Sequence, residues 1–139
     1  MYREISREFF VGLSNDFLSG NLEPVFERFH CPLVIYLDDQ PHVFTSQVQI
    51  RTAMLRYREI LVGRGAQVAA IDVARIDRRI GRMESYFVTK TLLDWSSAKI
   101  GTVKARYFLK ELSPKIEMIE YIQNPFLKGK TKAQVLLAA

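Results

Sequence analysis

The sequence predicts one α+β domain in which three N-terminal helices pack on a curved, mostly antiparallel sheet. Before Ala66, the chain contains segments whose apolar side chains recur with helical spacing. From Ala66 to Gln123, it forms long runs rich in β-branched and aromatic residues, with short joints between them. We therefore expect residues 1–126 to form a single domain and residues 127–139 to be a C-terminal tail, either frayed or a short helix.

The first helix is expected over residues 2–19, because large apolar side chains recur there four residues apart and give the segment one apolar face. These side chains are Ile5, Phe9, Leu13 and Phe17. Gly20 ends the helix, and Asn21 can cap a second, short helix. Since proline cannot continue a helix, we expect the second helix to stop at Pro32.

A short strand pair is expected between the second and third helices. Residues 33–37, Leu-Val-Ile-Tyr-Leu, are strong strand formers, and residues 38–41, Asp-Asp-Gln-Pro, are a turn sequence. The chain would then return in a short strand over residues 42–45. Ser46 can cap the third helix, whose apolar face continues to Gly63.

Strand-like runs cover residues 66–80, 83–95, 102–111 and 116–123. Short joints between long strands make hairpins, so we expect four consecutive antiparallel strands. The outer face of this sheet would carry apolar residues that no helix covers, and we expect a homodimer through that face. The residues expected there are Phe87, Leu93, Tyr107 and Met118.

Charge and cysteine usage limit the function classes. The single cysteine, Cys31, cannot form an internal disulfide. No apolar run approaches the roughly 20 residues of a membrane-spanning helix, so we expect a cytoplasmic protein without a membrane partner. With two histidines and no glycine-rich phosphate loop, the sequence favours no cofactor and no metal.

The formal charge of +5 is spread along the chain in short groups and lacks a basic recognition helix, so we expect no nucleic-acid partner. The short basic groups are Arg75, Arg78, Arg79 and Arg82, and Lys128, Lys130 and Lys132.

This order of elements resembles the nuclear transport factor 2-like superfamily, whose fold is a cystatin-like α+β cone. Residues 10–29 contain a helix ending in Ser-Gly-Asn-Leu-Glu and a short helix ending in aromatic residues, which is similar to the family's opening. Residues 115–121, Lys-Ile-Glu-Met-Ile-Glu-Tyr, are similar to its last strand. The superfamily includes ketosteroid isomerase, scytalone dehydratase, polyketide cyclases and transport adapters. The resemblance therefore implies a cavity between the helices and the concave sheet, but it does not select an activity.

The candidate site consists of polar residues within the strands and the third helix. The expected pocket residues are Tyr36, Tyr57, Tyr86, Arg106 and Tyr121, with Asp38 as the candidate catalytic base. An arginine among tyrosines in a closed pocket would favour an anionic ligand, through charge-assisted hydrogen bonds. The opposite strand parity is also open for Arg106, with Thr102, Lys104, Arg106 and Lys110 solvated while Val103, Ala105, Tyr107 and Leu109 pack inward.

Two functions remain open from the sequence. The first is binding of a small aromatic or anionic molecule in the cone cavity without catalysis. The alternative is a cofactor-independent isomerase, cyclase or dehydratase that transfers a proton with an Asp base. The two differ in whether Asp38 or Glu120 shares a closed cavity with a donor such as Tyr36, Tyr86 or Arg106.

Overall fold

The computed structural model describes residues 2–80, 83–110 and 114–136, and the side chains of residues 7–74, 83–110 and 114–136. The helices are α1 (Tyr2–Ser19), α2 (Leu22–Glu27), α3 (Gln47–Gly63) and α4 (Lys130–Leu136). The strands are β1 (Phe29–Leu37), β2 (Gln40–Phe44), β3 (Val68–Ile80), β4 (Met83–Leu93), β5 (Lys99–Lys110) and β6 (Ile116–Gln123). The basic group predicted at Arg75, Arg78, Arg79 and Arg82 lies outside the described side chains.

Helix α1 has the predicted bounds and ends where Gly20 adopts a left-handed φ of +87°. Arg58 of α3 satisfies its last carbonyl groups, because Nε donates to Phe17 O at 2.9 Å and Nη2 donates to Leu18 O at 3.1 Å. Asn21 makes no side-chain cap bond at the start of α2, contrary to the sequence prediction, and its Nδ2 donates to the Asp16 carboxylate instead.

The second helix is shorter than predicted, because the chain enters the sheet before Pro32. Helix α2 ends at Glu27, and Phe29 already pairs with Ile116 of β6. Pro32 therefore lies within β1, in the stretch between Phe29 and Val34 where the register with β6 shifts. The prediction that Pro32 stops a helix is wrong, since long-range pairing with β6 outweighs the local helix signal.

The predicted turn after β1 is a two-residue hairpin connection. Asp38 and Asp39 have positive φ angles of 53° and 61°, and Leu37 pairs with Gln40 across the turn. Two consecutive left-handed residues match the twist of a tight hairpin. Ser46 then caps α3 as predicted, because its Oγ accepts a hydrogen bond from Gln49 N at 3.2 Å.

All six strands form one sheet in the order β2-β1-β6-β5-β4-β3. Strands β3 to β6 are consecutive antiparallel neighbours, which confirms the predicted meander, and β1 joins β6 in parallel. Helix α4 packs beside α3 and buries Val135 and Leu136. None of the helices in the described ranges has both the length and the apolar composition needed to cross a membrane.

Candidate functional site

A cavity lies between the helices and the inner face of the sheet. The space between its lining atoms is about 590 Å³, with the open mouth included. Most of the lining is aliphatic or aromatic. The lining residues are Leu13, Ser14, Phe17, Leu18, Val25, Phe29, Met54, Tyr57, Leu61, Ala69, Lys90, Leu92, Val103, Tyr107, Ile119 and Tyr121.

Lys90 is the charged side chain of this described lining. It points inward from β4 because its same-face neighbours, Val88 and Leu92, are both buried. Its Nζ lies 5.1 Å from the centre of the Tyr107 ring, a cation–π distance. In the part of the chain that the structure describes, no carboxylate lies within ion-pair distance of this ammonium. The residue remains partly exposed, and burial of its side chain among apolar groups lowers the pKa of Lys90 from 10.5 to about 8.

Three tyrosine side chains supply hydroxyl groups to the cavity. Phe126 N donates to Asn124 Oδ1 at 3.0 Å, which orients the Asn124 amide so that Nδ2 donates to the Tyr57 hydroxyl at 2.9 Å. The Tyr57 hydroxyl also interacts with that of Tyr121. Burial raises the pKa of Tyr57, Tyr107 and Tyr121, so all three phenols are neutral at physiological pH.

Ser14 adds a buried hydroxyl from α1. The residue is 5% exposed, and its Oγ has no hydrogen-bond partner among the described residues. A buried hydroxyl without a partner is costly, and exceptions of this kind call for a physical explanation. Because Ser14 lines the same cavity as Lys90, a ligand or a water in the cavity would satisfy it.

Two of the predicted pocket residues, Tyr57 and Tyr121, line the cavity. Tyr86 also points inward but lies beyond the lining, where the Phe10 ring packs edge-on against it at a centroid distance of 5.9 Å. Its hydroxyl donates to the buried Glu84 carboxylate at 2.5 Å.

The predicted placement of Arg106 and Tyr36 in the cavity is wrong, because both side chains lie on the outer face of the sheet. Arg106 pairs with Glu120 across β5 and β6, and Tyr36 pairs with Glu120 across β1 and β6, on the outer face. Arg106 Nη1 donates to Glu120 Oε1 at 2.7 Å, with the two side chains 43% and 38% exposed. The alternative arrangement of β5 is the one observed, in which Val103, Ala105, Tyr107 and Leu109 are buried. Tyr107 therefore faces the cavity, and its predicted place on the outer dimer face is wrong.

Asp38, the candidate base, lies in the β1–β2 turn and not in the cavity lining. Its side chain is 72% exposed, and Oδ2 accepts a hydrogen bond from Lys132 Nζ of α4 at 3.1 Å. Asp38 and Lys132 lie at a separate surface groove beside the end of β6. The sequence-based grouping of Asp38 with the tyrosines fails because the turn carries Asp38 beyond the end of the strand.

Sequence reasoning missed Lys90 and Ser14. The signal for Lys90 was present, since the alternation Tyr86-Val88-Lys90-Leu92 places it among apolar residues of one face. Ser14 likewise lies four residues from both Phe10 and Leu18, on the buried face of α1. Within the described ranges, no group of three or more His, Cys, Asp or Glu side chains is arranged to hold a metal ion.

Several solved structures align with this chain over most of their length. A nuclear transport factor 2-like protein of unknown function from Shewanella oneidensis MR-1 aligns with a TM-score of 0.61 at 9% identity, covering 87% of this chain and 98% of that chain. A nuclear transport factor 2-like protein of unknown function from Exiguobacterium aligns with a TM-score of 0.55 at 9% identity, covering 85% and 97%. A function-unknown protein from Mycobacterium tuberculosis aligns with a TM-score of 0.53 at 11% identity, covering 99% and 95%.

No protein-family model and no curated protein matches the chain. The alignments to solved structures have low identity and establish the fold without an activity. The predicted α+β cone is thereby confirmed, and this chain has the nuclear transport factor 2-like fold.

Proposed function

We propose that the cavity binds a small, mostly apolar molecule that carries one anionic group, with Lys90 as the counterion. The observation that carries this proposal is an ammonium group within an apolar lining, without a carboxylate partner among the described residues. Even a partly exposed charge loses hydration within an apolar lining, which is unfavourable when no partner replaces the lost water. An anionic ligand would provide the partner and would return the pKa of Lys90 toward its ordinary value.

The rest of the lining suits the apolar part of such a molecule. Phe17, Tyr57 and Tyr107 offer ring surfaces, while Ser14 Oγ and the tyrosine hydroxyls offer hydrogen bonds. Binding sites are commonly apolar clefts with a few polar groups that fix orientation. The cavity volume of about 590 Å³ includes its open mouth, so the enclosed space favours a single ring or a short chain over a larger molecule.

Binding without catalysis is better supported than proton transfer from an Asp base. The described cavity lining contains no carboxylate, and Asp38 is solvated in a turn. A general base must lie within hydrogen-bond reach of the proton that it removes. The three tyrosines are neutral at physiological pH, because burial raises the pKa of each.

The proposal can be tested by comparing benzoate with benzyl alcohol, which has the same ring but no charge. Thermal-shift and calorimetric titrations would use the wild-type chain, Lys90→Met and Lys104→Met. Lys104 is a matched control, because it lies one strand away on the outer face, paired with Thr89.

Benzoate at 100 times its dissociation constant should stabilise the wild type by about 2.7 kcal/mol. Lys90→Met should weaken benzoate binding at least about tenfold, the equivalent of 1.4 kcal/mol, while Lys104→Met should bind like the wild type. Equal binding of benzoate and benzyl alcohol, or equal losses in both variants, would contradict the proposal.

A further inference from the structure

The Lys90 side chain is a primary amine in an apolar cavity that opens to solvent at its mouth. We propose that Lys90 is a nucleophile that condenses with a small aldehyde or ketone to form an imine. The inference rests on the proposed function to the extent that the cavity must admit a small molecule. It adds a covalent activity and a second ligand class, the carbonyl compounds.

The surroundings of Lys90 favour the neutral amine that such a reaction requires. The titratable groups that face the cavity are Tyr57 from α3, Tyr107 from β5 and Tyr121 from β6, and Ser14 adds a hydroxyl from α1. All four side chains are uncharged at physiological pH, so none of them stabilises the protonated form of Lys90 by charge attraction. Burial therefore dominates and lowers the pKa of Lys90 to about 8, against about 10.4 for a solvated lysine.

The reaction needs no oxidant, reductant or cofactor. The Nζ lone pair of Lys90 forms a bond to the carbonyl carbon, and the C=O π electrons move to the oxygen. Both protons of the neutral amine then leave with that oxygen as one water molecule, and a C=N bond remains. The apolar lining favours this outcome because it limits the access of the water that would hydrolyse the imine.

The Ser14 hydroxyl has a role in orienting the carbonyl group. Its Oγ is buried, without a partner among the described side chains, and lines the same cavity as Lys90. It can donate a hydrogen bond to the carbonyl oxygen of a bound aldehyde. Such a bond strengthens as negative charge develops on that oxygen during attack by the amine.

The test is reductive trapping of the full chain with benzaldehyde and sodium cyanoborohydride at about pH 8, followed by peptide mapping with mass spectrometry. Hydride reduction of the imine leaves a benzyl group on the amine that reacted. Lys90 should be benzylated at least about tenfold faster than Lys104, because the lowered pKa of Lys90 gives it a larger neutral fraction at this pH than an ordinary solvated lysine has. Mapping also separates Lys90 from the N-terminal amine, whose ordinary pKa is about 8.

Two substitutions at position 90 test the covalent step itself. Lys90→Arg retains a cation but cannot form an imine, so it should lose trapping at this position, and a benzoate titration of the same variant reports on the anion site separately. Lys90→Met should lose both trapping and benzoate binding. Benzoate should protect Lys90 from trapping in the wild type, since both ligands occupy one cavity.

Uniform labelling of Lys90 and Lys104, or no labelling of Lys90 in a chain that binds benzoate, would overturn the imine inference and leave the proposed function standing. Selective labelling of Lys90 in a chain that fails to bind benzoate would support the imine inference and contradict the proposed anion site.

Discussion

The Lys90 ammonium lies 5.1 Å from the centre of the Tyr107 ring, and both side chains belong to the inner face of the sheet. The ring face offsets part of the cost of dehydrating this partly exposed cation, by about 1 kcal/mol. That contact does not replace hydration, because burial still lowers the pKa of Lys90 to about 8. The Lys90 ammonium therefore destabilises the folded state. Substitution of Lys90 or deprotonation at higher pH would remove the charge, and an anionic ligand would neutralise it.

Lys90→Met should raise the free energy of unfolding at neutral pH by about 1 kcal/mol, since it removes a partly buried charge and keeps an apolar side chain of similar length. The pKa of Lys90 is lowered in the folded state, so the unfolded chain binds more protons between about pH 8 and 10.5. Wild-type stability should therefore rise with pH in this window, and the advantage of the variant should shrink. Guanidinium chloride unfolding of both proteins between about pH 8 and 10.5 measures this change. A stability difference between variant and wild type that does not depend on pH would contradict the prediction.

Ser14→Ala should leave stability unchanged or raise it by up to about 1 kcal/mol, because the lost hydroxyl has no partner among the described residues. Benzoate affinity should fall by about three- to tenfold if Ser14 Oγ binds the ligand. Ser19→Ala is the matched control in the same helix, since its exposed hydroxyl bonds to Asp16 O. Chemical denaturation and calorimetric titration check the two parts, and a large stability loss in Ser14→Ala would indicate a structural role instead.

Arg106→Met should not change the affinity for benzoate by more than about twofold, because Arg106 lies on the outer face with Glu120. The half-exposed ion pair should contribute less than about 1 kcal/mol to stability. Titration of the variant beside Lys90→Met measures the contrast between the two faces. A loss of binding as large as that of Lys90→Met would indicate that the ligand binds on the outer face of the sheet, which contradicts the proposed site.

Gly101→Ala should destabilise the fold by about 1–3 kcal/mol, through overpacking against a rigid ring. A Cβ at this position would lie 2.8 Å from Phe126 Cζ, and Phe126 is fully buried. Gly63→Ala is the control, because a Cβ at the end of α3 has open space around it and alanine favours the helix. Thermal unfolding should therefore shift in opposite directions for the two variants.

We propose that the outer face of the sheet forms a homodimer at tens of micromolar. Phe87 and Met118 are partly exposed there, and they flank the Arg106–Glu120 pair in the sheet. A two-fold axis through this pair would place Arg106 of one copy near Glu120 of the other, as a self-complementary patch requires.

Light scattering should give a dimer for the wild type and a monomer for Phe87→Glu. Val62→Glu on the exposed side of α3 is the control and should remain dimeric. A monomeric wild type at this concentration would contradict the proposal.

Most helices and strands of this fold follow from local signals in the amino-acid sequence. The four-residue spacing in α1, the Ser46 cap of α3 and the alternating runs of the meander are local signals, and the structure follows them within a few residues. Such signals act over one turn of helix or a few residues of strand, so they can be recognised without knowing the rest of the fold. The error at Pro32 arose where β1 pairs with β6, about 85 residues further along the chain.

Which side chains meet in the cavity depends on how the helices pack against the sheet. Alternation separates Arg106 from Tyr107, but only the packing of α1 and α3 against the sheet determines which of the two faces inward. A shift of one residue would exchange the two faces, because strand side chains repeat every second residue. The same packing places Lys90 inside and Asp38 outside. Which charged side chain lies in the candidate site therefore depends on the helices that cover the sheet. The sequences of β4 and β5 alone do not show which of their faces is covered.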